Sequence, residues 1–118
     1  MSGSPVGDGQ GGLRPRLSLV VPVYGNEENV PSLVAAIEGL NERLGGRLEA
    51  VFVVDGSPDN SAQALIAARE GFGFASKIAL HSRNFGSFTA IRTGLELATG
   101  EQFAAMAADL QEPPELIL

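Results

Sequence analysis

The sequence predicts an α/β fold, a doubly wound parallel sheet with strand order 3-2-1-4. Three observations lead there. Short apolar, β-branched runs alternate with segments whose apolar residues recur at helical spacing, giving the order β-α-β-α-β-α-β. Strands separated by crossover helices pair in parallel with right-handed connections, and a reversal after the third strand sets the order. Each apolar run also ends in a polar cluster, so four clusters meet beyond the C-terminal ends of the strands, where open α/β sheets bind ligands.

The elements follow in turn. Residues 1–16 are rich in Gly, Pro and Ser with no apolar run, and are expected to form a flexible tail; the ordered domain is expected over residues 17–118. The tail holds a G-x-G-x-x-G at Gly7, Gly9 and Gly12, but no strand precedes it and Pro15 and a strand follow, so it lacks the context of a dinucleotide fingerprint. Leu17–Val23 reads as the first buried strand. Leu33, Ile37, Leu40 and Leu44 mark one helix face, with Pro31 in its first turn and Gly45-Gly46 at its end. Ala50–Val54 reads as the second strand, and Asp59, Asn60 or Ser61 can cap the next helix, whose buried stripe is Ala62, Leu65 and Ile66. Lys77–His81 is the third strand. A third helix over Ser87–Ala98 carries Phe88, Ile91 and Leu95 on one side, and Gln102–Ala108 is the fourth strand.

Composition narrows the function. A chain of 118 residues, 44% hydrophobic and 19% charged, suits one globular domain. Its net charge of -6 argues against nucleic acid and against a polybasic membrane anchor, and implies that an anionic ligand would come with a bridging cation. The absence of cysteine excludes disulfides, zinc–thiolate sites and thiol nucleophiles. No apolar run approaches the roughly 20 residues of a membrane-spanning helix, and the N-terminus lacks a signal-peptide pattern.

The clusters offer specific chemistry. Asp109 and Gln111 stand two apart after a strand, as hard oxygen ligands for Mg²⁺ or Mn²⁺ or as a helix cap and a solvated loop residue. Asp55 ends the second strand, either to accept from a ribose hydroxyl or base N–H or to close its own Asp-Gly turn. Pro22 and Tyr24 flank the end of the first strand, where the Tyr24 ring is a stacking platform or a rim aromatic. Glu27 and Glu28 read as helix-dipole partners. Arg83 has the planar fork that suits phosphate, or pairs with one of the 14 acids; His81, the single histidine, reads as a strand-end residue.

Four stretches taken together carry a resemblance: Val21–Asn29 (VPVYGNEEN), Val54–Asp59 (VDGSPD), Ser82–Gly86 (SRNFG) and Ala108–Glu115 (ADLQEPPE). In this order and spacing they resemble the family 2 inverting glycosyltransferases of the GT-A fold, within the branch that moves a sugar from a nucleotide onto a polyprenyl phosphate, such as dolichyl-phosphate mannosyltransferase. The resemblance implies a Rossmann-like sheet forming the N-terminal half of a GT-A domain. It implies that Pro22, Tyr24, Asp55, Ala108 and Asp109 contact a UDP- or GDP-sugar, and that Asp109 and Gln111 hold Mg²⁺ or Mn²⁺. Ala107 and Val54 stand where the family carries the first Asp of Asp-x-Asp and of Asp-Asp-Gly-Ser, and Asn26 stands where a Glu is frequent.

The resemblance also places the general base, the acceptor loops and any membrane helices beyond the equivalent of Glu115. The chain is therefore expected to hold the donor-binding half of a metal-assisted glycosyltransferase acting at the cytosolic face of a membrane. The alternative is a non-catalytic nucleotide-binding module or truncated, inactive fragment. A receiver-like signalling domain is excluded by topology, because Asp55 follows the second strand. A fourth strand at an uncovered edge is expected to bring marginal stability or self-association.

Overall fold

The computed structural model describes residues 15–108. Of the tail expected over residues 1–16, residues 1–14 lie outside the described residues, as does the expected helix start, Asp109 and Gln111 included; Pro15 and Arg16 are described, and the Pro15 carbonyl accepts from Glu101 N–H at 3.1 Å. The order is β1 (Leu17–Val23), α1 (Val30–Arg43), β2 (Leu48–Asp55), α2 (Ser61–Ala68), β3 (Ala75–His81), α3 (Ser87–Leu97) and β4 (Gln102–Ala105), with single 3-10 turns at Glu27–Asn29 and Arg69–Gly71. The four strands are parallel and lie in the order β3-β2-β1-β4, as the sequence predicts. β2 and β3 start two residues earlier than their apolar runs suggest, and β4 stops at Ala105. Met106 still donates its N–H to the Val20 carbonyl at 3.0 Å, so Met106–Ala108 continues past the end of β4.

The sheet separates two apolar layers, because side chains alternate across a strand. Leu19, Val21 and Val23 of β1 and Leu48, Ala50, Phe52 and Val54 of β2 face α1 and α2, where they meet Leu33, Ile37, Leu40 and Leu65 in the main core. Phe72 and Phe74 extend this layer, stacked at 4.6 Å between ring centroids. The opposite face is thinner: Val20, Val51 and Val53 meet Ala90 of α3, with Ala79 and Ala98 beside them.

α3 does not bury the side on which its apolar residues gather: Phe88 is 90% exposed and Leu95 44%, whereas Ala90 and Gly94 are buried. The reason is closeness. A Cβ on Gly94 would sit 2.4 Å from Val20 Cγ1, so the helix comes against the sheet through its small residues and turns the bulky ones outward. Ile66 of α2 likewise lies 52% exposed instead of in the stripe beside Leu65.

At the N-terminal ends of the strands a polar knot replaces apolar packing. Glu49 of β2 is buried and accepts from Ser18 Oγ at 2.7 Å, Thr99 N–H at 3.0 Å and Lys77 Nζ at 2.8 Å. Lys77 Nζ also donates to the Leu97 carbonyl at 2.7 Å, and Gly100 N–H donates to Ser18 Oγ at 2.8 Å. This ties the C-terminal end of α3 and the turn into β4 to the bottom of the sheet. Burial pushes the Glu49 carboxyl up, but the bonds from Lys77, Ser18 and Thr99 outweigh it and hold the group below its ordinary value.

Candidate nucleotide site

Three loops leave the C-terminal ends of β1, β2 and β3, and two sets of hydrogen bonds lock them together. The first joins the loop after β1 to the loop after β2. Gly25 N–H donates to Ser57 Oγ at 2.8 Å and Asn26 N–H to Ser61 Oγ at 3.1 Å. Both hydroxyls in turn donate to Asp59 Oδ1, Ser61 at 2.6 Å and Ser57 likewise. Glu27 N–H reaches Asp59 Oδ2 at 3.2 Å, while Glu27 Oε1 accepts from Asn60 N–H at 3.2 Å. Each loop thus supplies a carboxylate to the other's backbone. The Ser57 and Ser61 hydroxyls are the main reason the Asp59 carboxyl lies far below the ordinary carboxylate range. Asp59 also takes the Ser61 N–H at 3.1 Å, which partly fulfils the capping role expected of it. Glu27 sits with Glu28 in the first turn ahead of α1, as the dipole reading expects, and also serves the neighbouring loop.

The second set centres on Asp55, the last residue of β2, which is only 2% exposed. Its Oδ1 accepts from His81 Nδ1 at 2.8 Å and Phe85 N–H at 3.0 Å, and its Oδ2 from Gly86 N–H at 2.8 Å. Asn84 Nδ2 donates to the Asp55 carbonyl at 3.2 Å. Burial pushes the Asp55 carboxyl up, and these bonds override it, leaving the group below its ordinary value. His81 Nε2 meets Thr93 Oγ1 of α3 at 2.9 Å, so the imidazole bridges β2, β3 and α3. Asp55 therefore anchors the loop after β3, a role absent from both sequence readings of it. A carboxylate offers about four lone-pair sites; three are filled here.

The loop after β3 packs against Gly56 without room for a side chain. Gly56 has φ +65, and a Cβ there would lie 2.1 Å from the Arg83 carbonyl carbon. Beyond this contact the Arg83 guanidinium lies 4.7 Å from the Phe85 ring centroid, and that ring meets His81 edge-on at 5.3 Å.

The expected site residues sort clearly. Pro22 is half-buried in β1. Tyr24 is 51% exposed at the rim, with its backbone N–H on Asn26 Oδ1 at 2.8 Å. In register Val23 pairs with Val54, which places Tyr24 beside Asp55 at the end of the sheet. Ala108 is buried. Val54 packs in the main core among other apolar groups. Among the described residues no group of three or more His, Asp or Glu side chains is placed to hold a metal ion, so the metal expectation rests on Asp109 and Gln111, outside them. Sequence reasoning missed the Glu27–Asp59 exchange and the Asp55–His81 pair; the partners lie 32 and 26 residues apart, and no local signal joins them.

Comparison with known proteins gives similarity in sequence and in fold. The chain is 42% identical over 101 residues to an undecaprenyl-phosphate 4-deoxy-4-formamido-L-arabinose transferase of Pseudomonas paraeruginosa, covering 86% of this chain and 30% of the relative. A Sodalis glossinidius protein of the same name is 39% identical over 102 residues, covering 86% and 31%. The chain thus spans about a third of the length of these curated relatives. Among solved structures, the Pyrobaculum calidifontis mannosyltransferase PcManGT, in complex with GDP-Man and Mn²⁺, superposes with a TM-score of 0.73 at 26% identity, over 83% of this chain and 28% of that one. Staphylococcus aureus TarS, in complex with UDP-GlcNAc, shares the fold with a TM-score of 0.70 at 23% identity, over 80% of this chain and 26% of that one. Residues 18–118 match the glycosyl transferase family 2 profile, and the chain belongs to that family.

Proposed function

We propose that this chain is the donor-binding part of a glycosyltransferase that moves a sugar from a nucleoside diphosphate onto a polyprenyl phosphate. The observation that carries the reading is the joining of three loops at the C-terminal ends of the strands, which brings the half-exposed Tyr24 and the end of β2 at Asp55 to one side of the sheet. The names of the relatives supply the acceptor class and the presence of GDP-Man in a structural neighbour supplies the donor class.

Each residue has a task in this reading. Tyr24 stacks the base and Pro22 shapes the wall beneath it. Asp55 accepts one hydrogen bond from the base or ribose. The backbone of Ala108 approaches the donor, while Asp109 and Gln111 hold Mg²⁺ or Mn²⁺. The cation would supply charge stabilisation to the departing diphosphate. The protein would act at the cytosolic face of a membrane; no helix among the described residues is long and apolar enough to cross one.

A second reading, nucleotide binding without transfer, draws on Val54 and Ala107, which remove two carboxylates that the family pattern carries.

Calorimetric titration of the chain with UDP and GDP, each with and without Mn²⁺, tests the proposal. Metal-dependent binding that disappears in Asp109→Ala is the expected result. A folded chain that binds neither nucleotide at millimolar concentration would contradict it. Sugar transfer to a polyprenyl phosphate separates the first reading from the second.

A further inference from the structure

The loop after β3 holds a cation whose situation needs a reason. The chain carries 14 acids against 8 Lys and Arg, so an exposed arginine has many carboxylates to choose from. Arg83 takes none among the described residues. Its guanidinium lies instead on the face of Phe85, 4.7 Å from the centroid, and it remains exposed. Stacking on a ring leaves the edge of the guanidinium, with its N–H groups, open to an acceptor.

The backbone beneath it is fixed on every side. Phe85 and Gly86 N–H groups bind the Asp55 carboxylate, Asn84 binds the Asp55 carbonyl, and the Arg83 main chain lies against Gly56. Gly56 adjoins Ser57, which receives the Gly25 N–H next to Tyr24. Arg83 therefore belongs to the same three-loop cluster as the proposed base platform, at the ligand-binding end of the sheet. A pre-positioned guanidinium loses less side-chain freedom when it meets an anion. An acidic protein that takes an anionic substrate also needs cationic groups at the point of contact.

We propose that Arg83, held on Phe85 by the Asp55-anchored loop, is a phosphate-contacting residue of this site. The inference rests on the donor-site reading above. A phosphate oxygen is available from two sources, the diphosphate of the donor and the monophosphate of the polyprenyl acceptor, and the guanidinium fork suits either.

The test compares the chain with Arg83→Gln, Arg83→Lys and, as a control, Arg92→Gln, which removes an exposed charge from α3 outside the cluster. Affinities for UDP and GDP with Mn²⁺, and for farnesyl phosphate as a soluble isoprenyl monophosphate, are measured at two salt concentrations. Arg83→Gln is expected to weaken at least one of them by about tenfold or more, as loss of a charge-assisted hydrogen bond does. It should also reduce the salt dependence, while Arg83→Lys recovers part of the affinity and Arg92→Gln changes little. Weakening confined to the nucleotides assigns the donor diphosphate; weakening confined to farnesyl phosphate assigns the acceptor. Wild-type affinity for every ligand in folded Arg83→Gln overturns the inference and leaves the donor-site reading standing. A weakened affinity with unchanged salt dependence, or an equal loss in Arg92→Gln, also overturns it. A folded wild-type chain that binds none of these ligands overturns both.

Discussion

His81 Nδ1 lies 2.8 Å from Asp55 Oδ1 and joins the last residue of β3 to the last residue of β2. The contact spans 26 residues of sequence and fixes the carboxylate that in turn fixes the loop over it. Asp55→Asn sets an amide N–H₂ against donors that need an acceptor. We expect a loss of about 3 kcal/mol, the usual cost of leaving buried partners of a charged group unsatisfied. Urea denaturation measures the loss, and amide exchange at Phe85 and Gly86 shows whether the loop is freed.

Acid should act through the same carboxylates. Asp55 and Glu49 are both held below their ordinary values of 3.8 and 4.5 in the folded chain. A depressed carboxyl binds more protons unfolded than folded, so its stabilisation is complete above the ordinary value and is lost as pH falls through the folded value. The thermal midpoint should hold steady from neutral pH to about pH 5 and fall below that. Lys77→Met should be less stable at neutral pH and its acid decline should be smaller, because loss of Lys77 lets burial raise the Glu49 carboxyl, and a carboxyl raised in the folded chain is relieved, not strained, as pH falls.

Two glycines with nearly the same φ should respond differently to alanine. Gly25 has φ +66 with open space around the added carbon; Gly56 has φ +65 with the Arg83 backbone in the way. Gly25→Ala should cost roughly 1–2 kcal/mol for the left-handed backbone alone. Gly56→Ala adds a forced backbone shift of about 1–3 kcal/mol and should also displace the loop after β3. Paired denaturation curves and amide exchange at Gly86 check both parts.

Tyr24→Ala should leave stability within about 0.5 kcal/mol of wild type, as surface substitutions usually do, since its ring is half exposed. Loss of base stacking is worth about 1–3 kcal/mol, so nucleotide affinity should fall roughly five- to 150-fold. Calorimetric titration reads the affinity and a thermal scan reads the stability.

β4 pairs with β1 on one side, has no strand on the other among the described residues, and leaves Phe103 53% exposed. The isolated chain should therefore associate with itself as concentration rises. Sedimentation velocity checks this, and Phe103→Lys should shift the distribution toward monomer.

The strand order was legible because it follows from alternation alone: buried runs such as Leu17–Val23 separated by helical spacing admit few topologies. The convergence of Tyr24, Asp55 and the loop after His81 was legible for the same reason. The buried face of α3 was not. Phe88, Ile91 and Leu95 make the stronger apolar stripe, and only the approach of Gly94 to Val20 shows that packing distance overrode it. The partners of Asp55 and Glu49 were hidden because a carboxylate's neighbours across parallel strands lie some 25 to 50 residues away. Local reading offered Asp55 only its own turn or a ligand.

α3 is moored at both ends by one strand. Asp55 at the top of β2 takes the Gly86 N–H just before the helix begins, while Glu49 at the bottom binds Thr99 just beyond its end and Lys77, which holds the Leu97 carbonyl. Between them the helix rests on small side chains with little apolar area. Such a beam has few ways to bend. Release of either mooring frees its end, and the thin middle cannot hold the rest. Amides along α3 should therefore open together with one free energy, not fray gradually from a terminus. Whatever disturbs Asp55 at one end of the sheet should be felt in the turn at the other.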